Sequence, residues 1–345
     1  MDSSPTTNST SSLQPAEWAL HDACWLAWPW DGELWAENLL SAQKEFTDLC
    51  RAISANGGEP LHILVPDATF EKAAQLALAG VAVTFHRIPV GDIWLRDTAP
   101  IFVQENGNTK AHIFRFNGWG EKYLLDHDDL VSARVAEASR FSSKSFPFVL
   151  EGGSVDVDGE GTCLTTKQCL LNPNRNPSMN ASDIETSLRE ALGATKILWL
   201  GDGLINDHTD GHIDTIARFV APGVVVCMEA TTEDDPNSKI LATIRRDLES
   251  FSDARGRKLK VLTIPSPGRV ENEEGDVMPA SYVNFYIGNK SVVVPTYGVP
   301  ADAKAVAAIA KIFPEHRTVG LSARAILSGG GAFHCITQQQ PRSLA

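Results

Sequence analysis

No run of this chain stays apolar for the roughly 18 residues that a membrane-spanning helix needs. A helical membrane anchor is therefore not expected. Clustered basic residues are missing too: 30 Lys and Arg face 43 Asp and Glu, for a formal net charge of −13. Nucleic-acid binding wants Lys and Arg gathered on one face, so that class is excluded. The acidic balance suits a cationic ligand, although charge biases encounter and does not name a partner. None of the six cysteines (Cys24, Cys50, Cys163, Cys169, Cys227 and Cys335) forms a CxxC pair. A chain of this length needs no disulfide staples, so free thiols in a reducing, cytoplasmic setting are expected. Residues 1–13 have neither a basic n-region nor an apolar stretch, so they do not read as a secretory signal. They read as a disordered tail, followed by one domain over residues 14–345. No linker divides that domain, and no letter-level repeat runs through it.

What remains is ordinary globular composition, 43% hydrophobic and 21% charged over 345 residues, enough for a large core. Short apolar runs at 24–29, 61–65, 81–85, 110–116, 148–150, 197–200 and 261–264 read as strands. Residues 34–55, 69–79, 183–192, 240–251 and 301–312 have helical spacing. In the first of these helices Leu39, Leu40, Phe46, Leu49 and Ile53 fall on one side. Hairpins are expected after Val155-Asp156-Val157, from 213–220 into 224–228, and around Gly288-Asn289. Strands in twos or threes with one helix return about every 60 to 70 residues, which weakly suggests a repeated structural unit. The long polar stretch 265–279 reads either as a binding lid or as a solvated excursion.

Four segments carry groups suited to chemistry. Cys335 follows Gly329-Gly330-Gly331, where the lack of Cβ atoms permits unusual backbone angles and close approach of a ligand. The segment reads as a nucleophile or as a buried thiol after a glycine turn. His212 and Asp214 stand two apart at the start of an expected strand, and so share a face. A solvated turn is the other reading. The HxxxH spacing of His208 and His212 hints at zinc, but Thr209 stands where a metalloprotease helix has its glutamate. Asp92, Trp94, Arg96 and Asp97 offer either a structural ion pair or contacts to a cation. Glu151 leaves an apolar run into Gly152-Gly153, as a ligand group or as the exposed Glu of a hairpin.

Together these segments supply a thiol, an imidazole and several carboxylates, the parts needed to attack a guanidinium. Two carboxylates can fix the planar cation, a thiolate can add to its carbon, and a histidine can move protons.

These motifs resemble those of the agmatine deiminases. The resemblance rests on Trp94-Leu95-Arg96-Asp97, Glu151-Gly152-Gly153-Ser154, His212-Ile213-Asp214 and Gly329-Gly330-Gly331 with His334-Cys335-Ile336-Thr337-Gln338-Gln339. Pro15-Ala16-Glu17-Trp18, Trp28-Pro29, Leu171-Asn172-Pro173-Asn174-Arg175-Asn176 and Pro279-Ala280-Ser281-Tyr282-Val283-Asn284-Phe285-Tyr286 extend it over about residues 14–341. Bacterial-type peptidyl-arginine deiminases are close relatives of that family. The resemblance implies a pentein-type α/β propeller of five pseudo-symmetric ββαβ units around a central active site. It implies Cys335 as nucleophile and His212 as general acid/base. Asp97 and Asp214 would hold the guanidinium, with Glu151 supporting His212. Trp94, Asp92, Asp210, Gly330, Gly331 and Asn284 are expected to contact substrate. No metal and no organic cofactor is implied. The implied substrate is a small cationic guanidine, agmatine first; arginine or a peptidyl or terminal arginine is the alternative. A weakly catalytic guanidine-binding protein is the reading from another class. His334 is set aside as the partner of Cys335, because neighbours on a strand face opposite ways. Ala332-Phe333 and Ala99 depart from the family pattern and bear on substrate identity. Oligomeric state is open; a homo-oligomer is compatible with the common use of dimers.

Overall fold

The computed structural model describes residues 12–343, and residues 1–11 of the expected tail lie outside the described residues. Leu13 is already part of the fold, exchanging backbone hydrogen bonds of 2.9 and 2.8 Å with Gln104.

Five small sheets share one pattern: an antiparallel pair, a helix, then a strand parallel to the second. One sheet runs Ile101–Glu105, Asn108–Arg115 and Ser143–Val149, and the next Asp156–Val157, Thr162–Thr166 and Lys196–Leu200. Ala217–Ala221, Val224–Glu229 and Lys260–Pro265 follow, and then Tyr286–Ile287, Ser291–Thr296 and Arg317–Ser322. The remaining sheet joins the two ends of the chain. Its strand His21–Ala27 pairs antiparallel with Gln338–Pro341 and parallel with Leu61–Val65, which in turn pairs with Val83–Arg87. These are the five ββαβ units of a pentein-type α/β propeller.

Local chemistry sets the helix ends. Asn180 and Asp183 form a capping box at the start of Ala181–Leu192, and Gly193 ends that helix in the left-handed region. The expected helix over 34–55 is broken instead. Asp31 caps a first turn, Gly32–Trp35, and Ala36 then takes φ 44°, ψ −128°. The chain restarts as Leu39–Ser54, which buries Phe46, Leu49 and Ile53. Leu40 is turned outward and left 79% exposed. The strand expected from residue 213 begins at Ala217, because Ile213–Thr215 is a 3₁₀ turn.

A buried arginine ties the units together. Arg218 is fully buried and donates to Asp156, to Glu17 and to the backbone carbonyls of Val283 and Phe285. Arg96, also buried, bonds Gln338 Oε1 at 2.9 Å and the His334 carbonyl at 3.2 Å.

Candidate active site

The connection that leaves each unit's last strand carries site residues. Asp92, Trp94 and Asp97 follow Val83–Arg87; Glu151 follows Ser143–Val149; His212 and Asp214 follow Lys196–Leu200. Asn284 follows Lys260–Pro265, and Cys335 follows Arg317–Ser322. The repeat therefore delivers groups far apart in sequence to one place.

Cys335 sits in a turn and not on a strand. Its Sγ lies 3.1 Å from Asn284 Nδ2 and 3.6 Å from Asp214 Oδ2. The Asn284 Oδ1 accepts from the backbone of His334 and Cys335, so this one side chain shapes the turn. The glycines before it have separate reasons. A Cβ on Gly331 would stand 2.7 Å from the Trp94 ring and 3.1 Å from the Cys335 sulfur. One on Gly329 would meet Trp94 and Trp35 at 2.8 and 2.9 Å, and Gly330 has φ +108°.

Asp97, His212 and Asp214 converge on Gly153. A Cβ there would lie 2.6 Å from His212 Nδ1, 2.9 Å from Asp97 Oδ1 and 3.1 Å from Asp214 Oδ2. His212 and Asp214 thus meet as expected, but through a 3₁₀ turn and not through strand alternation. Asp97 accepts from Trp119 Nε1 at 2.9 Å and from the Gly153 N–H at 2.8 Å. Neither ring nitrogen of His212 has a hydrogen-bond partner among the described residues by strict geometry, although Asp97 Oδ2 lies 3.8 Å from Nδ1. Glu151 is fully buried, which removes the exposed-hairpin reading. Arg175 Nε holds its Oε1 at 2.7 Å, while Oε2 has no partner among the described residues. Glu151, Cys169 and His212 place one ligand atom each within 4.8 Å of one another. They are the set among the described residues that could hold a metal, but the Arg175 guanidinium already neutralises Glu151, so a cation there would face a fixed positive charge. His208 does not belong to that group. It is exposed, with Nδ1 3.2 Å from the Tyr123 hydroxyl, which removes the HxxxH reading.

Two expected ligand groups have other partners. Asp210 pairs with Arg175 and with Lys122 at 2.7 Å and accepts from Asn174 at 3.0 Å. It does not line the inner cavity. Its visible work is to hold Arg175 against Glu151. Asp92 does line the cavity, yet it accepts from the indoles of Trp35 at 2.9 Å and Trp94 at 2.6 Å. It therefore fixes two cavity walls as well as presenting charge.

The cavity above Cys335 measures about 360 Å³. Trp35, Trp94, Trp119, Tyr123, Leu34 and Leu125 make its apolar walls, with Gly330 and Gly331 beside the sulfur. Glu37, Asp92 and Asp97 are its acidic groups, and no Lys or Arg stands among its described lining residues. An outer cavity of about 920 Å³ adjoins it, sharing Glu37, Tyr123 and His208. Residues 271–274 and 276–279 of the long loop wall that outer space, so the stretch faces the site and is not a free excursion.

Burial, with Asp214 and Asp97 nearby, pushes the Cys335 thiol well above its ordinary pKa. Burial also raises Asp97 and Asp92, each to about 6. Burial would lower His212, but Asp97, and after it Cys169 and Glu151, hold its pKa well above the usual imidazole value. Asp214 stays below the ordinary carboxylate range despite burial, because His334 hydrogen-bonds it. These shifts favour a neutral thiol beside an imidazolium.

Sequence reasoning missed Trp35, Trp119 and Cys169. Trp119 had one local signal, its place between Gly118 and Gly120, and all three take positive φ (66°, 54° and 82°). The stretch Leu171-Asn172-Pro173-Asn174-Arg175-Asn176, which carries part of the resemblance, delivers Arg175 to Glu151.

Residues 13–341 match the Porphyromonas-type peptidyl-arginine deiminase family. The agmatine deiminase of Pseudomonas aeruginosa is 39% identical over 352 residues, covering 95% of each chain. A solved agmatine deiminase of Enterococcus faecalis superposes with a TM-score of 0.91 at 33% identity, over 99% of this chain and 100% of that one. A C. jejuni agmatine deiminase solved with substrate bound gives 0.87 at 30%, over 99% and 100%.

Proposed function

Because the chain belongs to the Porphyromonas-type peptidyl-arginine deiminase family, we propose that it is a hydrolase converting agmatine and water to N-carbamoylputrescine and ammonia through a covalent intermediate on Cys335. The guanidinium lies between Asp97 and Asp214 with its carbon facing the sulfur. Bringing that cation beside the thiol offsets the two carboxylates that oppose ionisation, so substrate binding itself promotes the thiolate. The thiol proton is released to solvent as the cation binds, and the thiolate adds to the carbon. His212, an imidazolium at the start, gives its proton to a terminal nitrogen, the C–N bond breaks and ammonia leaves. The now neutral His212 takes a proton from water as its oxygen adds to the S-amidinium carbon; the C–S bond then breaks, the remaining hydroxyl proton passes to the sulfur, and the ureido product forms with the Cys335 thiol and the His212 imidazolium restored. Glu151, fixed by Arg175, adds to Asp97 and Cys169 in favouring the His212 imidazolium. No step calls for a metal or an organic cofactor.

One observation carries the choice of agmatine. The described inner cavity wall offers carboxylates and aromatic faces but no Lys or Arg. An α-carboxylate there would be desolvated beside like charges, whereas an ammonium tail gains both acidic and π partners. Three arginines that could meet arginine's carboxylate have other partners. Arg175 is spent on Glu151 and Asp210, Arg269 pairs with Glu271, and Arg324 binds the carbonyls of Tyr297 and Glu271. Ammonia release with agmatine, arginine and a blocked arginyl peptide, with Cys335→Ala alongside, tests the reading. Turnover of the peptide ahead of agmatine would move the substrate assignment. Binding of agmatine without turnover would favour a guanidine-binding protein. No helix among the described residues is long and apolar enough to cross a membrane. The six cysteines are all unpaired, which fits the cytoplasm.

A further inference from the structure

His334 lies beside the nucleophile in sequence but faces away from the cavity. Its Nδ1 stands 2.7 Å from Asp214 Oδ2 and its Nε2 stands 2.7 Å from Glu17 Oε1. All three side chains are nearly or fully buried. Glu17 in turn takes Arg218, at its other oxygen, and Arg96 at 3.4 Å. The imidazole therefore joins the arginine network that ties the units to the carboxylate beside Cys335. Asp214 Oδ1, by contrast, has no partner among the described residues, although the residue is fully buried. The oxygen that His334 anchors, Oδ2, is also the one 3.6 Å from Cys335 Sγ.

We propose that His334 is a positioning residue, held by Glu17 behind and donating to Asp214 in front, so that the Asp214 carboxylate is fixed beside Cys335 to meet the guanidinium. The inference rests on the functional reading above, in which Cys335 attacks and Asp214 holds the cation. A carboxylate's last torsion is broad and roughly two-fold, so an untethered Asp214 would have no fixed direction. Burial would also raise its pKa, and the hydrogen bond and charge of His334, with His212 and Arg218, together override that. Two ring nitrogens at 2.7 Å from two carboxylate oxygens need two N–H donors. Arg218, His334 and Arg96 keep Glu17 well below its ordinary pKa against its burial. Burial first, then Arg218 and Arg96, lower the His334 pKa below the ordinary imidazole value against the pull of Glu17 and Asp214. The two 2.7 Å contacts to ionised carboxylates set the opposite requirement, a proton on each ring nitrogen, and the proposal rests on those contacts. The contacts also give Pro15-Ala16-Glu17-Trp18 a use: its glutamate is the rear anchor of the active site.

The test compares inactivation at Cys335 by chloroacetamidine, a cationic amidine, and by chloroacetamide, its neutral isostere. Wild type is expected to prefer the cation. In His334→Gln that preference falls by about 10-fold or more, the worth of an oriented charge-assisted hydrogen bond. Glu17→Gln, which leaves Asp214 untouched, lowers it in the same direction by less, and KM for agmatine rises in both. A merely structural role would slow both reagents alike or lower the melting temperature alone. An unchanged preference in folded His334→Gln overturns the proposal. Should neither variant fold, imidazole ¹⁵N spectra of His212→Asn at pH 8 decide. One doubly protonated ring is expected when exposed histidines are neutral, and its absence overturns the proposal. Failure of wild type to react with the amidine at Cys335 overturns instead the functional reading beneath it, and the ¹⁵N result would still stand or fall by itself.

Discussion

At the scale of single residues, the site is a set of charges that burial has displaced from their ordinary behaviour. Asp97 and Asp92 both ionise near pH 6 because they are buried, and a dicationic substrate needs both as carboxylates. The value of kcat/KM for agmatine is therefore expected to fall as pH drops through about 6. Its alkaline limb belongs to loss of the His212 proton, and it lies well above the usual imidazole value because Asp97, Cys169 and Glu151 together outweigh burial. Replacing Asp92 by Asn should move the acid limb and raise KM, with kcat less affected, since Asp92 lies among the cavity walls and not against the sulfur. A pH profile with no limb near 6 in wild type would contradict these assignments. These residue types were legible in sequence because catalysis demands particular groups next to turn-forming glycines. Their partners were less so. Asp210 reads as a free carboxylate until Arg175 and Lys122 are seen on it. His334 reads as strand-alternating until the turn is seen to aim it at Asp214.

At the scale of elements, close approach explains the glycines and makes them testable. Gly153→Ala would drive a methyl group to 2.6 Å from His212 Nδ1, and Gly331→Ala to 2.7 Å from Trp94. Each is expected to lower kcat/KM by about 100-fold, the scale of a 1 Å misplacement, with the far-UV circular dichroism unchanged. Near-normal activity in either would mean that the packing around the sulfur is looser than described. Elements with strong local signals were legible: the capped helix Ala181–Leu192, the strand Leu61–Val65 and the turn between Asp156–Val157 and Thr162–Thr166. Elements made by tertiary context were not. Gln338–Pro341, with three glutamines and a proline, has little strand character. It is a strand because closing the ring lays it against His21–Ala27, where Gln340 accepts from the Trp25 indole at 2.9 Å. The break at Ala36 was hidden because apolar residues continue at helical spacing across it, while the Asp31 cap sets a different register.

At the scale of the whole molecule, activity depends on the ring staying closed around its axis. Arg218 reaches Glu17, Asp156 and two backbone carbonyls on other segments. Arg218→Met would strand two buried carboxylates and is expected to cost about 3–5 kcal/mol, as for breaking a buried ion pair. Urea unfolding measures this, and a loss under about 1 kcal/mol, the scale of an exposed pair, would show the arginine to be peripheral. Acid stability follows from histidines held neutral. Burial lowers His62 and His112 to about 4 each, below the roughly 6.5 of an unfolded chain. Their contribution is therefore complete above about pH 6.5 and is lost as pH falls toward 4. His112→Gln should lose less stability than wild type over that interval. The repeat was only faintly legible as recurring strands and helices, because the five units share geometry and not letters. The central claim is that this ring holds Cys335 beneath a cavity built for a guanidine with a cationic tail. The most direct measurement is kcat/KM for agmatine against arginine, with ammonia and ureido product followed together. The account predicts equimolar products, a preference for agmatine of about 100-fold or more from the unpaired carboxylate of arginine, and no turnover in Cys335→Ala. Equal or better use of arginine, or activity surviving in Cys335→Ala, would contradict it.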